Sequence, residues 1–407
     1  MEISYKKTRY ACYRGFITQA IIVNLAPLFF VIFRRDFGLD FIQIANLTGI
    51  NFGAQIIVDI MGVLFVDRLG YRRCLLWAHV CAFGGLICLG VLPYIMAPYA
   101  GLVTATIIYA IGSGLVEVLL SPVIDNLPAE SEGGMALLHA FYSWGQVGVV
   151  LTTTILVRII GESRWFILPL LWSVLPLYNY FSFRKVPIIE PEIKTSIEEM
   201  KRLFCNPVFL LAVVLMVCSG ASEQVVNQWA SMFAEKGIGV SKLWGDILGP
   251  CLFAFTMGIG RTVFGVLGDR VDMQKAIKLM SLGTIACYLI MVFVNIPAIA
   301  LFGCAMTGFM VSAMWPGMLV LSSRRINGGT AMFGLLAVAG DLGCSGGPMF
   351  AGLISNFAEK SGLAAIYGFT PEQFGMKAGI LAAIIFPIGV FLGIFLLRKT
   401  KKKSVQE

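Results

Sequence analysis

The segment Ala378–Leu397, AGILAAIIFPIGVFLGIFLL, runs for 20 residues without a charged side chain. A helix of about 20 apolar residues spans the roughly 30 Å hydrocarbon core of a bilayer. Gly15–Phe33 and Leu203–Ser222 are free of charge over comparable lengths. The chain of 407 residues is 58% hydrophobic and only 13% charged, a composition that a soluble core of this size does not accommodate. The sequence therefore predicts a membrane protein that crosses the bilayer many times.

The remaining apolar stretches predict an all-α fold with twelve spanning helices. Cys74–Val116 and Leu279–Ser323 are too long for one helix each, and prolines divide each into two. The predicted helices lie at about 14–33, 41–66, 74–93, 99–124, 135–158, 164–183, 207–233, 243–267, 276–295, 299–321, 330–357 and 375–397. No small-residue cleavage pattern follows the basic N-terminus, so we expect the first apolar segment to be retained as a helix.

The distribution of basic residues predicts the orientation. Of the 31 lysines and arginines, 22 fall in segments on the side of the N-terminus and 8 on the other side, while Arg261 lies within a helix. Basic residues are enriched on the cytoplasmic side of membrane proteins. We therefore expect a multi-pass protein of the cytoplasmic (inner) membrane with both termini in the cytoplasm. The net charge of +8 follows from this topology, and no nucleic-acid partner is needed to explain it.

An internal repeat predicts two similar halves. The segment GVLFVDR at 62–68 is similar to FGVLGDR at 264–270, and glycine-rich segments at 133–148 and 328–343 match at a constant offset. The chain then divides into a six-helix half at 1–183, a charged cytoplasmic linker at 184–206, and a second six-helix half at 207–407 with a basic tail. Six helices per half is an even number, so the repeat is parallel.

The loop after the second predicted helix carries the most specific motif. Its sequence, DRLGYRR at 67–73, resembles the signature loop of the major facilitator superfamily, and Asp269-Arg270 is a shorter second copy. The resemblance implies two pseudo-symmetric six-helix bundles and transport by alternating access. It also implies a conformational latch in which Asp67 caps a helix of the second half and the arginines bind acids or lipid headgroups. The latch residues are Asp67, Arg68, Gly70, Arg72, Arg73, Asp269 and Arg270.

The fourth predicted helix resembles that of the fucose-permease-like sugar:proton symporters, because Glu117 is followed five residues later by Pro122. That family has an acid in its first helix that works with this glutamate. Here the aligned position holds Pro27, with Asn24 nearby. The resemblance implies a proton-coupled transporter of a small polar solute such as a sugar.

Polar side chains inside spanning helices mark the candidate site, because an ionisable group in hydrocarbon costs about 2.5–3.5 kcal/mol or more. Glu117 is the leading candidate for proton coupling, and Arg261 requires a counter-charge from Glu223 or Asp341. Asp59 occupies the position in the first half that Arg261 occupies in the second, which favours a role at the moving interface. The candidate substrate or coupling residues are Asn24, Glu117, His139, Gln146, Glu223, Asn227, Trp229, Arg261 and Asp341. Interhelical hydrogen bonding of Glu117 and His139, and core packing of Trp229, remain the alternatives.

The sequence favours a secondary transporter over an enzyme. It contains no convergent catalytic motif and no nucleotide-phosphate loop, and its ten cysteines form no CxxC pair, so no cofactor or metal is expected. A drug or metabolite exporter of the same fold is the alternative function, and a membrane-embedded enzyme is less favoured. The expected partners are a small-molecule substrate, a proton and the lipid bilayer. A monomer is expected, since each half has its partner within the chain.

Overall fold

The computed structural model describes residues 5–125, 127, 133–189, 197–267, 271–323, 325–326 and 329–399. The described residues form helices joined by short connections, and they contain no β-strand. In the described part of the chain, six helices precede and six follow a short helix, Ile197–Phe204, called the linker helix below. The all-α fold with two six-helix bundles, which the apolar stretches predicted, is confirmed.

The N-terminal half contains helices α1 to α6. Their bounds are α1 (Lys6–Asn24, Ala26–Phe29 and Phe30–Phe37), α2 (Phe41–Leu69), α3 (Tyr71–Ile95), α4 (Pro98–Asp125), α5 (Gly133–Ile160) and α6 (Ile167–Trp172 and Val174–Lys185). The C-terminal half contains α7 to α12. Their bounds are α7 (Pro207–Met232 and Phe233–Gly237), α8 (Lys242–Asp246, Ile247–Cys251 and Leu252–Leu267), α9 (Met273–Phe293), α10 (Pro297–Val311 and Met314–Ser323), α11 (Gly329–Lys360) and α12 (Pro371–Ala382 and Ile385–Lys399).

Ten of the helices in the described part of the chain are long and apolar enough to cross a membrane. The other two are α6, which is divided at Ser173, and α11. They complete the six-helix sets of the two halves. Because an even number of helices separates them, the start of α1 and the end of α12 lie on one side of the molecule, called the termini face. The other side is called the opposite face.

Local side-chain chemistry explains how several helices begin and why α1 is interrupted. At the start of α2, Gln43 N–H donates to the Asp40 carboxylate and Asp40 N–H donates to the Gln43 side chain, at 2.8 and 3.0 Å. This capping box satisfies amides that a helix start leaves free. In α1, Pro27 has no N–H, and the chain forms a 3₁₀ turn over Ala26–Phe29. Asn24 is therefore the last residue of the first α-helical segment.

The two halves meet along three helix pairs, α2 with α11, α5 with α8, and α1 with α7. Glycine permits the closest approach in the first pair. A side-chain carbon on Gly352 would collide with Ala45, and one on Gly49 would collide with Met349. The α2–α11 contact is therefore built for close packing of the two halves.

Apolar packing differs between the two faces. One buried cluster includes N-terminal-half residues from the opposite-face parts of the helices, such as Phe33, Leu89 and Trp165, together with residues along the C-terminal half such as Phe209 and Leu336. A second cluster contains only N-terminal-half residues near the termini face. Apolar side chains thus join the halves at the opposite face, while near the termini face the N-terminal half has a core of its own.

The α2–α3 loop shows what part of the predicted latch does. Gly70 has φ of 85°, in the region that favours glycine. Arg72 donates to the carbonyl oxygens of Phe183 and Val186, at 2.6 and 2.8 Å. Because helix ends leave carbonyls unsatisfied, Arg72 is held at the end of α6 in its own half. The resemblance implied that it binds acids or lipid headgroups, whereas the hydrogen bonds that it makes in the described residues go to these two carbonyl oxygens. Arg73 is exposed, and the side chains of Asp67, Arg68, Asp269 and Arg270 lie outside the described residues.

Candidate functional site

A layer of buried polar side chains lies between the two halves, well inside the spanning helices. The exposed fraction of each does not exceed 6%. Polar groups removed from water are costly unless they are hydrogen-bonded, so their partners define the site. The layer consists of Gln19, Asn24, Asn51, Gln55, Asp59, Ser113, Gln146, Glu223, Gln224, Asn227, Gln228 and Asp341.

Three of the predicted site residues form a chain of amides that crosses from one half to the other. Gln146 of α5 donates to Asn227 Oδ1 of α7 at 2.6 Å, and Asn227 Nδ2 donates to Asn24 Oδ1 of α1 at 3.2 Å. Asn24 Nδ2 lies 3.5 Å from the hydroxyl of Tyr142 on α5. The structure therefore brings together Asn24, Gln146 and Asn227, which lie far apart in sequence.

Two further amides extend this chain along α7. The Gln224 side-chain oxygen accepts from Asn227 Nδ2 and from Gln228 Nε2, each at 3.1 Å. Gln228 Nε2 also donates to the carbonyl oxygen of Val23 at 3.3 Å. The sequence interpretation selected Glu223 and Asn227 on one face of α7. It missed Gln224 and Gln228, which lie on the adjoining face of the same helix. The i, i+4 spacing of Gln224 and Gln228 was the signal that could have found it.

Glu117 on α4 accepts a hydrogen bond from Gln19 Nε2 of α1 at 2.5 Å. Glu117 is partly exposed, unlike Gln19. Sequence alignment pointed to Pro27 and Asn24 as the first-helix positions near this glutamate, and the structure places Gln19 there instead. The reason is geometric, because Gln19 lies in the regular part of α1 before the Pro27 break. Gln19 was missed, although it is the first amide in the opening apolar stretch.

Arg261 on α8 has the counter-charge that the sequence required. Its Nη2 atom lies 3.2 Å from both carboxylate oxygens of Glu223 on α7. Its Nη1 atom lies 3.4 Å from Ser143 Oγ on α5, in the other half. The prediction that an acid within the membrane neutralises Arg261 is confirmed, and of the two candidates the partner is Glu223.

Asp341 on α11 has a different partner, Asp59 on α2. The two carboxyl groups interact electrostatically across the boundary between the halves. Their exposed fractions are 3% and 5%. The sequence singled out both positions but did not indicate that they meet, because they are 282 residues apart.

Two other predicted residues are placed differently. Trp229 lies nearer the opposite face, buried and stacked on Phe41 of α2 with ring centroids 5.7 Å apart. It packs between the halves and makes no hydrogen bond to the amide chain through its Nε1 atom, which has no partner in the described residues. The side chain of His139 lies outside the described residues.

Ion pairs join the halves at the opposite face. Arg34 at the end of α1 lies 3.1 Å from Glu359 of α11 and 4.0 Å from Glu372 of α12. Asp40, before α2, lies 3.9 Å from Lys360. With Lys236 and other neighbours these residues line a cavity of about 520 Å³. We call the set Arg34, Asp40, Glu359, Lys360 and Glu372 the opposite-face ion cluster.

A buried pair beneath this cluster also bridges the halves. Lys242 Nζ lies 3.1 Å from Asp246 on α8 and donates to the carbonyl oxygen of Leu28 on α1 at 2.6 Å. Thr154 of α5 donates to Asp246 at 3.1 Å. Sequence reasoning treated Lys242 only as a topological charge and missed Asp246. Both groups contribute to the closed contact of the halves at this face.

The described residues contain no group of three or more His, Cys, Asp or Glu side chains that could hold a metal ion. The chemistry that this part of the chain offers is hydrogen bonding by amides and hydroxyls, together with proton binding by carboxyl groups.

Comparisons with known proteins agree with this architecture. Against solved structures, a D-xylose–proton symporter shares 15% identity over 99% of this chain and 100% of its own, with a TM-score of 0.79. A bacterial homologue of the human lysosomal transporter Spinster, in an inward-facing unoccupied conformation, shares 16% identity over 97% of each chain, with a TM-score of 0.76. The E. coli fucose:proton symporter shares 15% identity over 98% of this chain and 100% of its own, with a TM-score of 0.67.

A search of curated proteins finds no match. The family model of the Major Facilitator Superfamily matches residues 14–348, which include the signature loop, the amide chain and the acids of α4, α7 and α11. The chain therefore belongs to the Major Facilitator Superfamily.

Proposed function

We propose that this protein is a secondary active transporter that moves a small, uncharged polar solute, such as a sugar, by alternating access and in symport with a proton. The amide chain from Gln146 through Asn227 to Asn24 carries the proposal. It lies between two halves that are joined at one face, where a solute would be held during a change of access. The termini face is the cytoplasmic face of the inner membrane in this proposal, and the protein acts as a monomer.

The chemistry of the layer favours an uncharged hydrogen-bonding solute. Each amide both donates and accepts, which matches the hydroxyl groups of a sugar. Arg261, which contacts the layer through Glu223, is already neutralised by that carboxylate at 3.2 Å. A lipophilic cation would instead require a larger apolar and acidic surface, so the amides favour solute uptake over drug export. The solved xylose and fucose symporters, whose fold this chain shares, are consistent with this choice.

Glu117 is the proposed proton-coupling residue next to the solute. It is partly exposed and is held by a single side-chain hydrogen bond from Gln19 among the described contacts. Gln19 can donate to the charged form of Glu117 and accept from its protonated form after rotation of the amide. Glu117 can therefore change protonation without losing its partner on α1.

Transport by reconstituted protein tests the proposal. Liposomes with an imposed inward proton gradient are assayed with labelled sugars and, in parallel, with lipophilic cations. We expect gradient-dependent accumulation of a sugar. We expect the Glu117→Gln variant to lose accumulation against a gradient while it retains exchange of solute at equal concentrations. Glu162→Gln, at an acid outside the layer that pairs with Arg35, is the matched control and should behave as the unmodified protein.

Two outcomes would contradict the proposal. Accumulation of lipophilic cations, and of no sugar in the panel, would show that the protein is an exporter of the alternative class. Sugar accumulation that is unchanged in Glu117→Gln would remove the coupling role of that residue and leave the solute assignment standing.

The latch remains a proposal for Asp67. The family resemblance assigns it a contact with the second half, and Asp67→Asn should shift the balance between states open at the two faces. Cysteine accessibility at each face measures this balance. An unchanged balance would contradict the latch.

A further inference from the structure

Arg14 is a charged side chain on the spanning helix α1 whose contacts are all with uncharged groups. Its Nε atom donates to Asn179 Oδ1 and its Nη2 atom donates to Ser182 Oγ, each at 3.2 Å, and both partners lie on α6. The guanidinium carbon lies 5.1 Å from the centre of the Tyr178 ring on the same helix. The ion pairs of the described residues do not include Arg14.

This lack of a carboxylate partner separates Arg14 from two other arginines of the spanning helices. Arg261 is neutralised by Glu223, and Arg34 is paired with Glu359. A charge at membrane depth is costly without a counter-charge. The Nη1 atom of Arg14 makes no hydrogen bond among the described residues, and it is not enclosed by the protein. Arg14 therefore has donors available for an anion from outside the chain.

Buried side chains hold Arg14 in this position. Asn179 and His79 are both 0% exposed. Asn179 Nδ2 donates to the carbonyl oxygen of Ala11 at 3.0 Å and lies 2.8 Å from His79 Nε2. Because His79 Nδ1 lies 2.7 Å from the carbonyl oxygen of Leu75, Nδ1 carries the proton and Nε2 accepts from Asn179. Both amide protons of Asn179 are thus used, and its oxygen is directed to Arg14.

The site lies on the outer surface of the bundle, close to the termini face. Ser182 lies three residues, or about 4.5 Å, before the end of α6 at Lys185. Tyr178 is 58% exposed, and Tyr10, one turn before Arg14 on α1, is 48% exposed. Tyrosines are enriched at the level of the lipid headgroups, and long basic side chains near helix ends reach that level. The surface around Arg14 therefore faces headgroups.

The charge of the two helices favours an anionic headgroup. Together, the segments Lys6–Asn24 and 167–185 contain six basic side chains and no acidic one. Arg184 and Lys185, at the end of α6, are exposed. A guanidinium matches a phosphate group through two parallel hydrogen bonds. A zwitterionic headgroup would bring an ammonium group among these cations, whereas an anionic headgroup brings no positive charge.

We propose that Arg14, held by Tyr178 and Ser182, binds the phosphate of an anionic phospholipid in the leaflet at the termini face. With Nε and Nη2 directed to α6, the phosphate oxygens accept from Nη1 and from the second proton of Nη2. The acyl chains lie along the exposed apolar side of α6, which includes Leu177 and Phe181. The bound lipid supplies the missing counter-charge. The inference goes beyond the proposed transport function, because it concerns a lipid partner and requires no solute.

Titration of the purified full-length protein with phosphatidylglycerol, followed by native mass spectrometry, tests the site. We expect Arg14→Gln to weaken the first binding step about tenfold or more, because the charged hydrogen bonds to phosphate are lost. Arg14→Lys should give an intermediate affinity, since it keeps the charge and loses the planar fork. Arg184→Gln, at an exposed basic residue of α6, is the matched control and should change the affinity by no more than about twofold.

Three outcomes of this titration would overturn the proposal. The first is an unchanged affinity in Arg14→Gln, or an equal loss in Arg184→Gln. The second is equal binding of phosphatidylcholine with the same acyl chains by the unmodified protein, which would contradict the anionic headgroup. The third is displacement of the lipid by an equal concentration of soluble glycerophosphate, which would show a site for free phosphate esters instead of a lipid.

Photo-crosslinking to the unmodified protein gives an independent measurement if Arg14→Gln does not fold. Phosphatidylglycerol with a diazirine next to its headgroup is irradiated with the protein in nanodiscs, and the modified peptides are sequenced. We expect adducts within Tyr10–Arg14 of α1 or Tyr178–Ser182 of α6, suppressed by excess unlabelled phosphatidylglycerol. Suppressible adducts confined to other helices would overturn the site.

Discussion

The opposite-face ion cluster and the central polar layer both join the two halves, but they do so with different chemistry. The cluster uses charged pairs near an open cavity, such as Arg34 with Glu359 at side-chain exposures of 16% and 17%. The layer uses amides and acids that are almost fully buried. Partly solvated ion pairs contribute little each and are screened by salt, whereas a buried group that loses its partner is costly.

Under the proposed alternating-access mechanism, this difference indicates where each kind of contact belongs. A gate must open and close repeatedly, so weak contacts that water can replace are suited to it. A binding layer must keep its geometry while empty, and it must bind favourably the solute that completes its hydrogen bonds. The predictions below test this contrast, from the largest expected effect to the smallest.

The largest effect is expected from Glu223→Ala, which leaves the Arg261 guanidinium without its carboxylate. Removal of one partner of a buried ion pair costs about 3–5 kcal/mol, so the thermal unfolding temperature of the purified protein should fall markedly. The double variant Glu223→Ala, Arg261→Ala should recover part of the loss. Glu162→Ala, which removes a partly solvated ion pair with Arg35, should change little. A double variant that is less stable than Glu223→Ala would contradict the explanation.

An intermediate effect is expected from Asn227→Ala, which removes hydrogen bonds to Gln146, Asn24 and Gln224. Each such bond contributes about 1 kcal/mol, so the KM for the transported solute should rise about tenfold or more. Uptake kinetics in proteoliposomes measure it. Asn295→Ala, an exposed amide near the end of α9, is the matched control. Equal KM values in the two variants would place the solute elsewhere.

The smallest effect is expected from Arg34→Gln in the opposite-face ion cluster. The variant should shift the balance toward a state open at that face by no more than about 1 kcal/mol. Distances between labels on the two halves at this face measure the balance. The shift should shrink at high salt, and the swapped pair Arg34→Glu, Glu359→Arg should restore the original balance. A larger, salt-independent shift would show that the cluster behaves like the buried layer.

Much of the fold follows from local pattern. Charge-free stretches predicted the helices, and the repeat predicted two halves, because a helix in a bilayer must be apolar along its length. The same criterion located the polar candidates Glu117, Glu223, Asn227 and Asp341. It failed for Gln19, Gln224 and Gln228, because amides are tolerated in helices, and for Lys242, because a charge near a helix end was interpreted as topology.

The ion-pair and hydrogen-bond partners of these side chains were not predictable from local sequence pattern. The sequence left Glu223 and Asp341 as equal candidates for Arg261, and it assigned Arg72 to acids or lipid. Three-dimensional proximity decided both, since Arg261 faces Glu223 from the neighbouring helix and Arg72 reaches the end of α6. A counter-charge requirement can be inferred from one residue, but its partner depends on helix rotation and packing.

The sequence by itself determined that this protein spans a membrane as two similar helical halves with acids and amides inside them. The physical reason is that a helix in the hydrocarbon core must be apolar along its length, so the sequence shows each spanning segment directly. Only the tertiary structure decided that Asn24, Gln146 and Asn227 form one chain, that Gln19 holds Glu117, and that Asp59 meets Asp341. Those contacts join helices far apart in sequence, and the last of them lies on the α2–α11 pair, in which glycine permits a close approach.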